Sequence, residues 1–213
     1  KVLIEDERAV GVRLASGEMI RARAVAANVG PKLLFRDLVP ASAIEPELRA
    51  RFVSIKTGSG TFRMNVALSE LPDFTCFPNA PDGSASPHHG SGIVIGPSID
   101  YLDRAYIDAH LHGWSKEPII EMLIPSTLDD TLAPPGQHVA SLFIQHVAPR
   151  LDGYCIRPSG SGTMRSWTDP SEKDAFADLV IATMTRHAPN FRASVIARQM
   201  LSPLDLETRF GMI

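Results

Sequence analysis

The chain has 213 residues, 44% of them hydrophobic and 21% charged, with a formal net charge of −3. That is the balance of a globular protein of one large or two small domains, and with no basic stripe interleaved with aromatics it argues against a nucleic-acid partner. No apolar run approaches membrane-spanning length, and Cys76 and Cys155, lacking CxxC spacing, read as core or free thiols of a reducing compartment. A cytoplasmic protein, at most peripheral to a membrane, is therefore expected.

In chain order, residues 2–4 and 8–14 read as strands, the second because Val10, Val12 and Leu14 alternate with Gly11 and Arg13. Ala15-Ser16-Gly17-Glu18 is a turn, and Met19, Ile20, Ala22 and Ala24 continue as a further strand. Residues 25–29, Val-Ala-Ala-Asn-Val, are small and apolar on both faces, the pattern of a strand buried on both sides. Gly30 stops it, and Pro31 suits the first position of a helix over 32–38. A short helix ending near Phe52 follows.

Residues 54–69 then predict a long strand broken at Gly58-Ser59-Gly60. Phe62, Met64, Val66 and Leu68 fall on one face, and Arg63, Asn65, Ala67 and Ser69 on the other. Residues 71–96 are proline-punctuated loop carrying the pair His88-His89. A solvated loop is the first reading of that pair and a substrate gate the second. With no further ligand close in sequence, no metal site is expected.

Residues 99–112 predict a helix capped by Asp100, with Leu102, Ala105, Tyr106 and Ala109 on its core face. Its His110-x-His112 spacing points the rings to different sides. Strands follow at 119–124 and 138–147, separated by turns at residues 126–130 and 134–136. Gly160-x-Gly162 lacks a third glycine and a preceding strand, so it is rejected as a phosphate loop. Asp169-Pro170-Ser171-Glu172 caps a helix running to about His187. A strand over 192–201 and a helix opened by Ser202-Pro203 complete the chain.

The hairpin-and-turn unit resembles a known family. Val10, Gly11, Val12, Leu14, Gly17, Ile20, Val25 and Asn28, followed by Pro31, are similar to the end of the FAD-binding domain in the phytoene desaturase and amine oxidase group of flavoproteins. The nearest branch is that of phytoene-dehydrogenase-related oxidoreductases, also called pyridine nucleotide-disulfide oxidoreductase domain-containing proteins. Residues 64–68 with Leu71-Pro72, Ile124-Pro125-Ser126 with Asp129-Asp130, Pro134 with Gly136, and residues 202–207 extend the resemblance in the expected order.

The resemblance implies an FAD-dependent oxidoreductase that passes hydride equivalents from a C–C or C–N bond to flavin. It also implies that this chain is an internal fragment, inactive by itself. The fold expected is α+β: a mixed or antiparallel substrate-domain sheet with helices, plus a hairpin and buried strand from an incomplete α/β FAD-binding domain. The domains would be residues 1–40 (partial FAD-binding), 41–201 (substrate) and 202–213 (return towards the FAD-binding domain).

By the same resemblance, Ala27, Asn28 and Gly30 lie near the cofactor, while Phe62, Met64, Gln145 and His146 face an apolar or amphipathic small molecule. A tight turn explains Gly30 equally well, and ordinary core explains Phe62 and Met64. Edge strands leave a homodimer open. The alternative function is a non-catalytic module binding an apolar ligand or a partner chain. A hydrolase is disfavoured, since no G-x-S-x-G elbow accompanies Ser126 and Asp129.

Overall fold

The computed structural model describes residues 1–58, 60–154 and 165–212. Cys155, Gly160 and Gly162, and Ser59 of the expected strand break, lie outside them. The chain forms two compact units, one of Lys1–Gly58 with Phe210–Ile213 and one of Ser59–Arg209.

The first unit opens with an antiparallel sheet, β1 (Val2–Glu5), β2 (Arg8–Arg13) and β3 (Met19–Arg21), in that spatial order. Asp6 and Glu7 turn the first hairpin with φ of 46° and 60°, the pair of positive values that a two-residue turn needs to match strand twist. Gly11 lies at φ 151°, and a Cβ there would stand 2.2 Å from the Ile20 carbonyl oxygen, so the β2–β3 approach requires glycine.

The strand expected at 25–29 does not form. After the Ala22 N–H bond to the Val10 carbonyl (3.0 Å) the chain leaves the sheet, and Val25 is half-buried while its neighbours are exposed. A strand buried on both faces needs a hydrogen-bonded neighbour and apolar layers on each side. The described residues of this unit supply neither. Gly30 and Pro31 do open a helical turn, α1 (Pro31–Leu33), which widens over Leu34–Leu38.

The unit extends past residue 40 to Gly58 because α2 (Pro46–Val53) packs back on this turn. Phe35 stacks on Phe52 at 4.1 Å, and Arg49 donates to the carbonyls of Phe35 (3.1 Å) and Arg36 (3.0 Å).

The second unit is built on β4 (Thr61–Leu68), β5 (Ile93–Ile95), β6 (Ile120–Leu123), β7 (His138–Gln145) and β8 (Val195–Leu201). They form an antiparallel sheet in the order β5-β6-β7-β4-β8, so the first strand of the unit lies between later ones. The helices are α3 (Ile99–His112), α4 (Pro170–His187), α5 (Phe191–Ser194) and α6 (Pro203–Phe210). The strand expected from residue 192 begins only at Val195, because the one-turn α5 precedes it.

One face of the sheet carries Phe62, Met64, Val66, Leu68, Ala140, Leu142 and Ile144, all buried against Phe176, Val180 and Met184 of α4. Phe62 meets Phe176 edge-on at 5.0 Å and Trp167 at 5.8 Å, and Trp167 donates its indole N–H to the Ala148 carbonyl (2.9 Å). Arg165 closes this side. Its guanidinium lies 3.8 Å from the Trp114 ring centre, pairs with Glu172 at 3.1 Å and donates to the His112 carbonyl at 2.6 Å. Gly60 brings two backbones together: its carbonyl accepts from Val147 N–H (3.1 Å), and a Cβ on it would stand 1.3 Å from the Val147 oxygen.

The helix ends follow sequence with one exception. Asp169 caps α4 by accepting from Ser171 N–H (2.9 Å), and Ser202 and Asp205 bond reciprocally at the start of α6. In α3 the cap is Ser98, which accepts from Tyr101 N–H (3.1 Å), rather than Asp100. The buried stripe of α3 is Tyr101, Ala105 and Ala109, while Leu102 and Tyr106 are exposed. The Tyr101 hydroxyl donates to the Pro118 carbonyl (2.9 Å), and burial, with Glu117 nearby, pushes its pKa up to about 12.

Candidate functional site: the second face of the sheet

The period of two that buries Phe62 and Met64 puts Arg63 and Asn65 on the opposite face. Past the buried Thr61 that face is half-buried along β4, and it is exposed at Val94 and Leu123 on the outer strands. Strand register aligns its residues in rows. One row runs Val94, Glu121, Phe143, Arg63, Leu201 across all five strands, and the next runs Leu123, Ser141, Asn65, Gln199.

Side chains link the rows. Arg63 lies over the Phe143 ring with its guanidinium carbon 5.2 Å from the ring centre, and donates to Ser141 Oγ at 3.3 Å. The Asn65 amide donates to Gln199 Oε1 at 3.1 Å. The Gln145 amide donates to the Glu121 carboxylate. A cavity of about 230 Å³ opens here, lined among others by Arg63, Val94, Glu121, Leu123, Ser141 and Phe143. Apolar walls with a few placed polar groups are the make-up of a small-molecule site.

The residues singled out by sequence divide. Phe62 and Met64 are fully buried and point into the core, so they do not wall this cavity; each lies on the α4 side of β4. Gln145 is on the cavity face, at the end of β7. His146 follows it at φ 58°, with its ring edge-on to Tyr106 at 5.5 Å. Burial, and then the charge of His110, hold its pKa below the usual histidine value. Ala27, Asn28 and Gly30 lie in the first unit, exposed to solvent. Gly30 has φ −57°, and a Cβ on it would meet nothing within 4 Å. The packing of the chain itself therefore places no demand for glycine there, which removes the tight-turn explanation.

The paired histidines are a structural knot. His89 is fully buried; its Nδ1 accepts from Ser86 N–H (3.0 Å) and its Nε2 bonds the Pro72 carbonyl (3.0 Å). The His88 ring lies 4.0 Å from it, tilted by 49°, and burial followed by the neighbouring His89 lowers the His88 pKa. No group of three metal-ligating side chains occurs among the described residues. Ser126 lies 3.5 Å from His138, but the Asp129 carboxylate is taken by the backbone N–H and the hydroxyl of Thr131 (3.0 and 2.6 Å), so the three form no triad.

Sequence reasoning missed Arg63, Glu121, Ser141 and Phe143. The available signal was polar residues at alternate positions inside otherwise apolar strands: Arg63 and Asn65 in β4, Ser141 and Gln145 in β7.

No family model matches the chain. Over 214 aligned residues, covering the whole chain, it is 37% identical to pyridine nucleotide-disulfide oxidoreductase domain-containing protein 2 of Mus musculus and 36% identical to the protein of that name in Rattus norvegicus. It spans only 35% of the length of either relative. Its fold is similar to part of a crystal structure of an oxidoreductase from Methanosarcina mazei, with a TM-score of 0.50 and 18% identity over 95% of this chain and 36% of that one. The chain is thus similar, from end to end, to about a third of two proteins that bear an oxidoreductase name.

Proposed function

We propose that this chain is the substrate-domain portion of an FAD-dependent oxidoreductase of the phytoene dehydrogenase-like class. The end-to-end similarity to proteins with an oxidoreductase name carries this reading, and the second sheet face supplies the substrate floor. When bound, FAD would supply a two-electron acceptor: a substrate C–H bond would give up hydride and the adjacent C–H or N–H bond a proton to water, so that a C–C or C–N single bond becomes a double bond. The residues that would hold FAD here are Ala27, Asn28 and Gly30. Gly30 fits that role, since glycine with open space beside it lets a ligand approach the backbone.

The chain's own residues bind and orient. Phe143, Leu123 and Val94 exclude water from an apolar substrate body, and Arg63, Ser141, Glu121 and Gln145 supply its polar contacts. No acid–base pair is required of them, in keeping with a reaction whose chemistry resides in the cofactor. The 213 residues alone are expected to retain no flavin.

An absorbance spectrum of the full-length protein as purified tests the reading. Flavin bands in the visible blue are expected, and Gly30→Val should lower flavin content while leaving the fold intact. A colourless, folded full-length protein that also ignores added FAD would overturn the reading in favour of a non-catalytic module that binds an apolar ligand or a partner chain.

A further inference from the structure

The least explained side chain on the sheet face is Arg63. A guanidinium has five N–H donors, and Arg63 places one of them, at 3.3 Å, on the neutral Ser141 hydroxyl. It is half-buried, and no carboxylate pairs with it among the described residues. Two other arginines that pack on this unit's sheet and helices are answered: Arg165 by Glu172 at 3.1 Å and Arg198 by Asp174 at 2.7 Å. Glu121 shares the cavity but stands two strands away in the row, with Phe143 between them. Strand spacing sets the two backbones about 10 Å apart. The Glu121 carboxylate is also engaged by the Gln145 amide.

The geometry points to a monocarboxylate on an apolar body as the ligand of this cavity, with its head on Arg63 and its body along Phe143, Leu123 and Val94. This rests on the sheet face being the substrate floor, and it names the substrate class. The planar fork of arginine matches a carboxylate with two parallel hydrogen bonds. A neutral hydrocarbon covering the cavity would strip water from the unused donors of Arg63 and return no bond. A cationic head would meet the like charge of Arg63. A dianionic phosphate would bring a second negative charge that the single charge of Arg63 leaves unneutralised, in a cavity that also holds Glu121.

Calorimetric titration of the full-length protein tests this with four ten-carbon probes: decanoate, decanol, decyl phosphate and decyltrimethylammonium. Decanoate is expected to bind at least about tenfold more tightly than decanol, and more tightly than the other two. Arg63→Leu should erase the preference for decanoate over decanol while decanol binding persists. Arg63→Lys, a point charge without the fork, should keep part of it. Should Arg63→Leu fold poorly, Arg63→Gln, judged by an unchanged melting curve, must lose the preference instead.

The inference is overturned if the wild-type protein does not prefer decanoate, if either other charged probe binds more tightly, or if a folded Arg63 variant without the charge binds decanoate like wild type. Flavin absorbance of the same sample separates the two readings. A yellow protein with no carboxylate preference defeats only this inference, and a colourless protein with the preference defeats only the flavin reading.

Discussion

The two faces of the five-stranded sheet are written by the same strands, one residue apart, and do opposite work. The α4 face is closed: Phe62, Met64, Ala140, Leu142 and Ile144 lose all contact with water, and the polar groups around them, such as the Trp167 indole and Arg165, each have a partner. The second face has half-buried side chains, a cavity, and a guanidinium with most of its donors unused. A face built for stability satisfies its polar groups internally. A face built to bind leaves some to be satisfied by the ligand.

Neighbouring substitutions should expose that difference. The largest effect is expected from Phe62→Ala, which empties a site between Phe176 and Trp167 and should lower unfolding free energy by about 3–5 kcal/mol in a urea titration. Arg63→Ala, one residue along, should cost no more than about 1 kcal/mol, the value of a partly exposed cation–π contact. Equal losses would break the distinction between the faces.

A second pair sets two glutamates against each other. Glu172→Ala leaves the buried Arg165 charge without that carboxylate, and a loss of about 3–5 kcal/mol is expected. Glu121→Ala on the cavity face frees only the Gln145 amide, which stands at the strand end, so a loss of about 1 kcal/mol or less is expected by the same titration. Smaller still is Asn65→Ala, which breaks one exposed amide bond to Gln199 and should fall within about 0.5 kcal/mol of wild type.

The smallest effect is a pH dependence. Burial, then the neighbouring charge of His89 for His88 and His138 and of His110 for His146, depresses all three below the histidine value of 6.5. The folded state therefore disfavours their protonation. Their contribution is fully present above 6.5 and is lost as pH falls from there through the lower folded values. The melting temperature should decline gently between about pH 7 and 5.5, where carboxylates still hold their charge. His138→Gln should flatten the decline, and a wild-type curve that is level or rises over that interval would contradict the assignment.

The strand alternation in β4 and β7 was legible because a period of two is a local property of the chain. Which face meets the helix was legible too, in hindsight: the apolar set Phe62, Met64, Val66, Leu68 belongs to the core, and the binding candidates are the residues between them. The resemblance put Phe62 and Met64 on a substrate face, with ordinary core as the alternative, and in the fold both are fully buried on the α4 side. Gln145 could be placed on the cavity face from period alone. The link between Gln145 and Glu121 could not, since it depends on β6 lying beside β7.

Sequence by itself determined the punctuation and the periods: Gly30-Pro31 at a helix start, the Asp169 cap of α4, the Ser202 cap of α6, and the two-sided character of β4. These are set by backbone dihedrals and hydrogen bonds within a few residues. Tertiary structure decided that residues 25–29 lie outside any sheet of the described chain, that α2 joins the first unit through Phe35 and Phe52, and that Arg63, Phe143 and Glu121 share a row. Those outcomes depend on pairing between segments up to 80 residues apart (Arg63 to Phe143), where register rather than local preference fixes which side chains meet.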